Sequence, residues 1–224
     1  MGQEDEFLVK KDAIRKQFLK YTQKAFQMLP HIDNPRILDI GCGSGIPTME
    51  LARLSQGKIT GIDINQSELD KFVKNIEKAE ISDRVQVLNH SMFDMDFPDS
   101  YFDIIWSEGS IYAVGFEKGL REWKRFLKQD GFIVIHDEQE NVEEKLKLIG
   151  DCGYELLDYF LISIKTWREE YFKPLEKLVK EFQRSYSDKP ENIREYNQAL
   201  QELDMFNRNP ERNNSVYFVI KRIK

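Results

Sequence analysis

The chain has 224 residues, with 33 Lys plus Arg against 39 Asp plus Glu, so its net charge is −6. That length suits one globular domain with room for an inserted subdomain. A hydrophobic content of 41% argues against wholesale disorder, and the acidic balance disfavours a broad nucleic-acid surface. No window approaches the roughly 18 apolar residues of a membrane span. The first residues, MGQEDEFLVKKD, are charged rather than apolar, so no secretory signal is expected. Two cysteines, Cys42 and Cys152, make neither a disulfide framework nor a cysteine-rich zinc site. The expectation is a reducing, cytoplasmic setting.

Apolar residues Ile14, Phe18, Tyr21, Ala25 and Met28 recur at three or four and predict an amphipathic helix over 7–29. Pro30 and the Asp33-Asn34-Pro35 turn stop it. The pattern then changes to short strands alternating with helices. Strands are predicted over 36–40, 58–63, 84–88, 101–106, 131–136 and 154–164, with helices over 46–54, 66–79, 116–127 and 142–149 between them. Such alternation predicts a parallel α/β sheet. Residues 166–205 interrupt the rhythm. Tyr171, Leu175, Leu178 and Phe182 form a helical stripe, and a second helix over 193–203 follows Pro190. Ser215–Ile220 returns as a strand, so 166–205 reads as an insertion in one domain spanning 1–224.

The most informative stretch is Ile37-Leu38-Asp39-Ile40-Gly41-Cys42-Gly43-Ser44-Gly45. A buried-type strand runs into three alternating glycines and then a helix. Glycine lets a ligand approach the backbone closely, and the helix start offers unpaired N–H groups. Asp63 ends the second strand about 20 residues on, where a carboxylate can accept hydrogen bonds from both hydroxyls of a ribose. A tight turn with an ordinary surface acid is the plain alternative, but the two features occur together at the expected separation. A nicotinamide-dinucleotide site is the sharper competitor. Its fingerprint places glycine sixth, where this chain has Ile46, so the G-x-G-x-G pattern departs from it.

At these residues the chain resembles the class I S-adenosylmethionine (SAM)-dependent methyltransferases, most closely their small-molecule "type 11" or methyltransferase-domain-like branch. LDIGCGSG is similar to the first motif, GIDIN to the acidic loop after the second strand, FDIIWSEGS to the fourth-strand motif, and WKRFLKQDGFIVIHD to the segment through the fifth strand. The resemblance implies a Rossmann-like seven-stranded sheet of order 3-2-1-4-5-7-6 with the last strand antiparallel. It implies SAM as cofactor and S-adenosylhomocysteine (SAH) as product. Asp39 and the backbone of Gly41, Gly43 and Gly45 would hold the methionine portion, Asp63 the ribose and Ile64 the adenine face. Ser91 and Met92 would border the adenine edge, and Ser107 and Glu108 would lie near the sulfonium and the acceptor.

Methyl transfer needs donor and acceptor held in line, and a base only if the acceptor must lose a proton. Glu108 follows the fourth strand and is the first candidate for orienting or deprotonating an acceptor; its plain alternative is a helix-start carboxylate. His136 at the end of the fifth strand is a candidate base or a structural histidine, and Tyr112 a substrate contact or a packing residue. His31 and His90 carry less signal. Consecutive His136-Asp137-Glu138 cannot converge on one ion, and no spaced ligand set supports a metal. Cys42 reads as a small packing residue inside the turn.

The N-terminal helix (1–30) and the 166–205 insertion are expected to form a lid that excludes water. Trp167 and Tyr171 are candidates to enclose a substrate by stacking or cation–π contact, although Tyr171 shares the core stripe. The expected partner is a small-molecule acceptor, with no nucleic acid and no membrane, for a monomer or homodimer. The alternatives are a non-catalytic SAM-binding or partner-binding protein, a protein methyltransferase, and a nicotinamide-dependent oxidoreductase.

Overall fold

A computed structural model describes residues 2–185 and 193–223. Pro190, expected to precede the second helix of the insertion, lies outside the described residues. The chain forms two compact units, one of residues 1–20 with 162–215 and the other of residues 21–161 with 216–224.

The sheet unit carries seven strands: β1 Arg36–Ile40, β2 Lys58–Asp63, β3 Val85–Asn89, β4 Phe102–Glu108, β5 Leu127–Glu138, β6 Tyr154–Ile162 and β7 Ser215–Arg222. Their order is β3-β2-β1-β4-β5-β7-β6, as the resemblance implied, with β7 antiparallel. Strands β1, β2, β3, β4 and β5 pair in parallel. The strands named by sequence are all present, and β5 extends further at both ends than expected. Residues 128–130, between the expected helix over 116–127 and the expected strand over 131–136, belong to β5, beside a register shift between Phe102 and Ile104.

The helices, in chain order, are α1 Gln3–Arg15, α2 Leu19–Gln27, α3 Ile46–Leu54, α4 Gln66–Lys78, α5 Phe116–Trp123, α6 Val142–Asp151, α7 Ile164–Trp167, α8 Lys173–Ser185 and α9 Arg194–Arg208. Leu38, Ile40, Ile105, Ile133, Ile135, Val216 and Phe218 are fully buried in the sheet core, which also takes Trp123 and Leu120 from α5. Each such side chain contributes about 1.5–3 kcal/mol through removal of apolar surface from water.

The single helix expected over 7–29 is two helices, α1 and α2, separated by a tight turn at Lys16–Phe18. The apolar face that periodicity reads as one stripe serves two cores. Phe7, Ile14 and Phe18 join the core of the helical unit, whereas Thr22 and Ala25 are buried on α2 in the sheet unit. The expected stripe Tyr171, Leu175, Leu178 and Phe182 is buried in the helical unit together with Tyr196, Ala199 and Phe206 of α9. That core also contains a fully buried Lys11, whose Nζ lies 2.7 Å from Glu202 Oε1 and 3.8 Å from Glu195 Oε2. The helical unit is therefore wider than the expected insertion, because it includes α1.

The strand order reverses between β1 and β4, the switch point at whose carboxyl edge open α/β sheets bind ligands. There β1 enters the glycine turn, and Gly45 starts α3 in the left-handed region at φ 79°. A Cβ added to Gly45 would lie 2.1 Å from the Phe72 ring of α4, so the helix can start there only without a side chain. We expect Gly45→Ala to destabilise the fold by about 2–5 kcal/mol, combining a left-handed backbone with overpacking against Phe72. Denaturant unfolding checks this, and a change within about 0.5 kcal/mol, the range of an ordinary surface substitution, contradicts it.

Candidate active site

Gly43 is the open point of the glycine turn. It sits at φ 51°, and a Cβ there would meet no atom within 4 Å. The neighbouring turn is closed: Gly41 and Cys42 donate their N–H groups to the Ile62 carbonyl of β2, at 2.8 and 3.0 Å. Gly43 donates its own N–H to Asp63 Oδ2 at 2.9 Å. The acid expected to bind a ribose is thus fastened to the turn expected to hold an amino acid. Asp63 Oδ1 accepts from the Asn65 N–H at 2.8 Å. An ionised carboxylate has about four acceptor positions, so this leaves capacity for further donors.

Asp39, on the adjacent strand, is 2% exposed and accepts a hydrogen bond of 2.5 Å from Thr48 of α3. Burial pushes its carboxyl up to about 7; the Thr48 hydroxyl opposes this, and the charges of Glu108 and Asp63 add to it. Among the described residues, none of Asp39, Asp63 and Glu108 forms an ion pair with a Lys, Arg or His. Three carboxylates without a protein cation, beside a bare left-handed backbone, fit a ligand that brings positive charge and lies close to the chain.

Around this turn, Ile64 is 72% exposed, directly after Asp63. In the loop after β3, Ser91 Oγ accepts from the Phe93 N–H at 3.2 Å. The Met92 methyl group lies 3.8 Å from where a Gly41 Cβ would be, which brings that loop onto the glycine turn. Phe93, not singled out by sequence, leaves most of its ring exposed. Ser107 is fully buried, and its hydroxyl bonds to Ser110 Oγ at 2.7 Å. Ser110 in turn donates to the Ile40 carbonyl at 2.5 Å. The Ser107 hydroxyl therefore ties β4 to β1. Tyr112 is on a short turn after β4 with its ring 69% exposed.

Glu108 ends β4 half-buried, opposite His136 of β5 in the parallel register. Its Oε1 accepts from Trp106 Nε1–H at 2.8 Å and from the Thr22 hydroxyl of α2 at 2.9 Å. The Tyr217 hydroxyl of β7 bonds to the same carboxyl. Burial raises the Glu108 carboxyl above its usual range against the pull of these three donors. The His136 ring stacks on Tyr217 at 4.3 Å between centroids, and burial brings its pKa down to about 4, so it is neutral near pH 7. Neighbouring Asp137 is paired with Lys145 at 2.7 Å. Thr22, Thr48 and Tyr217 are site residues that sequence reasoning missed. No local motif marks them, because each is brought in by a different element.

Trp167 and Tyr171 belong to the helical unit. The Trp167 ring stacks on Phe18 at 4.2 Å, and its indole N–H donates to Ser215 Oγ at 3.0 Å. Tyr171 is buried, and its hydroxyl donates to Glu202 Oε2 at 2.5 Å. Both rings are built into that unit's own packing. Among the described residues no helix is long and apolar enough to cross a membrane.

Residues 37–131 match the family described as "Methyltransferase domain". The chain is 29% identical over 119 residues to 27-O-demethylrifamycin SV methyltransferase of Amycolatopsis mediterranei, a match covering 53% of this chain and 44% of that protein. The chain spans under half the length of the curated relatives it matches. Among solved structures, it is similar to a SAM-dependent methyltransferase from Geobacter sulfurreducens in complex with SAH, at a TM-score of 0.69 and 18% identity, covering 91% of this chain and 90% of the other. It is also similar to the [4+2]-cyclase SpnF, at a TM-score of 0.72 and 18% identity, covering 91% and 81%. Both of these are likenesses of fold. Sheet order, glycine turn and the match over residues 37–131 agree, and in all three the chain is similar to the class I SAM-dependent methyltransferases.

Two outcomes follow from the site geometry. A carboxyl raised on folding binds more protons in the folded state between its unfolded and folded pKa values. The Asp39 contribution to stability therefore falls as pH rises from about 4, the ordinary aspartate value, to about 7, and is constant above. Wild-type stability measured against Asp39→Asn should decline across that window in denaturant unfolding; a flat difference contradicts the burial of this charge. Asp63→Ala should weaken SAM binding by about 1–3 kcal/mol, the scale of lost charge-assisted hydrogen bonds. Calorimetry reads this directly, and an unchanged dissociation constant removes Asp63 from the cofactor site.

Proposed function

We propose that the protein transfers a methyl group from SAM to a small-molecule acceptor. The observation that carries this reading is the Gly43–Asp63 hydrogen bond, which joins an open glycine turn to a strand-end carboxylate at the switch point. In this reading Asp39 and the backbone of Gly41–Gly45 hold the amino-acid portion of the cofactor. Asp63 accepts from the ribose hydroxyls, Ile64 lies against the adenine, and Ser91 and Met92 border its edge. Bound SAM supplies an electrophilic methyl carbon on a positively charged sulfur.

The chain's own task is then mostly orientation, and holding reactants in line supplies roughly 7–11 kcal/mol in favourable cases. Ser107 contributes by fixing the end of β4 to β1 through Ser110. Glu108 serves as the acceptor-side carboxyl, because it ends β4 at the sheet's ligand edge and burial raises its proton affinity above the usual range. His136 stays neutral and packs against Tyr217. The shared chemistry of the site is polar and anionic, which suits a soluble small acceptor.

A second reading, a SAM binder without turnover, is favoured by the three protein donors that already occupy the Glu108 carboxyl. The two readings separate in one pair of experiments. Calorimetry with SAM and SAH should show binding, and a radiolabelled-methyl screen over metabolites should then yield a labelled product. Cofactor binding without any labelled acceptor leaves the binder, and absence of both SAM and SAH binding defeats the cofactor reading altogether.

A further inference from the structure

The Glu108 carboxyl is unusual in how it is held. Three donors from three elements converge on it: Thr22 from α2, Trp106 from β4 and Tyr217 from β7. None is charged. A carboxyl kept for stability alone is generally matched by a cation or replaced without loss by an apolar side chain. This one keeps its charge-bearing group half-buried at the sheet's ligand edge, within electrostatic range of Asp39.

Tyr217 is anchored by rings on both of its faces. It is 2% exposed. Its ring is sandwiched between His136 of β5 at 4.3 Å and Phe160 of β6 at 4.9 Å, with interplanar angles of 10° and 13°. That ladder of rings crosses three neighbouring strands, β5, β7 and β6, and leaves the phenol one direction in which to point. We propose that Tyr217, assisted by Thr22, is a positioning residue that fixes the orientation and the proton affinity of Glu108 for its acceptor-side role. The inference deepens the reading of Glu108 given above and rests on it.

The physical reasoning concerns which form of the carboxyl each contact favours. Burial favours the neutral acid, while each donor favours the carboxylate. The phenol remains a donor throughout, because burial and the Glu108 charge push its own ionisation well above the ordinary tyrosine range. The remaining titratable groups facing this cluster are Asp39 of β1, on whose carboxyl the Glu108 charge acts, Tyr21 of α2, which neighbours Tyr217, and His136 of β5, which is neutral. These groups are the same in wild type and in the variants, so a shift of the Glu108 midpoint between them reports the donor removed.

The test uses the full chain labelled with carboxyl-13C glutamate, the Glu108 signal being assigned by its loss in Glu108→Gln. The signal is followed against pH in wild type, Tyr217→Phe, Thr22→Val and Thr22→Ser. Tyr217→Phe keeps the ring stack and removes only the donor. Its expected effect is to move the Glu108 midpoint up by about one pH unit, a tenfold change in proton affinity. Thr22→Val should move it in the same direction, and Thr22→Ser, which retains a hydroxyl, should restore the wild-type midpoint. A Tyr217→Phe midpoint that coincides with wild type, or lies below it, overturns the proposal. SAH calorimetry on the same samples keeps the underlying reading separate: wild type that fails to bind SAH defeats the cofactor site, whereas the carboxyl titration judges Tyr217 independently.

Discussion

A single hydrogen bond, from the Gly43 N–H to Asp63 Oδ2, organises the ligand edge of the sheet unit. It connects β1's exit turn to the end of β2, two strands that are already in register through Ile40 and Ile62. Without it the turn would be tied to β2 by the Gly41 and Cys42 bonds to Ile62, and Asp63 would be a strand-end acid held by its local contact with Asn65. With it, the bare backbone and the carboxylate become one rigid element. Gly45, pressed against Phe72, then fixes the direction in which α3 leaves.

The electrostatics of the site follow from that geometry. Asp39, Asp63 and Glu108 are held at the carboxyl edge of neighbouring strands without protein cations among the described residues, and each is kept in place by neutral donors. Isolated buried carboxylates are unfavourable in a low-dielectric setting. Their retention is understandable where a ligand supplies the missing positive charge, as the proposed cofactor would. The solved neighbours include a [4+2]-cyclase, a reminder that such a crevice is a place to hold a ligand and that the reaction depends on what surrounds it.

Much of the fold was legible because its signals are local. RILDI followed by alternating glycines announces a strand, a turn and a helix in close succession, and all three stand where expected. Asp63 was legible by its distance from that turn. Its bond to Gly43 was not, since spacing does not specify which N–H a carboxylate meets. Thr22 and Tyr217 were invisible for the same reason: Thr22 lies 86 positions from Glu108, and neither occupies a recognisable motif. The break at Lys16–Phe18 was hidden because Ile14, Phe18 and Ala25 keep helical spacing across it while burying against different cores. Trp167 and Tyr171 advertised aromatic surface, but composition alone cannot distinguish a ring that faces a ligand from one stacked on Phe18 or bonded to Glu202.

Lys11 gives the chain an awkward order of assembly. Its partner Glu202 is 191 positions away, and both sit in a unit whose other helices are drawn from beyond residue 160. During synthesis α1 is therefore made well before the helices that surround its cation and Phe7. The sheet shares the delay, since β7 takes an interior place between β5 and β6 although it is made after both. Contacts of such long range fold slowly and leave apolar surface exposed meanwhile, whereas β1 to β5 are contiguous in sequence and can pair before β6 and β7 complete the sheet.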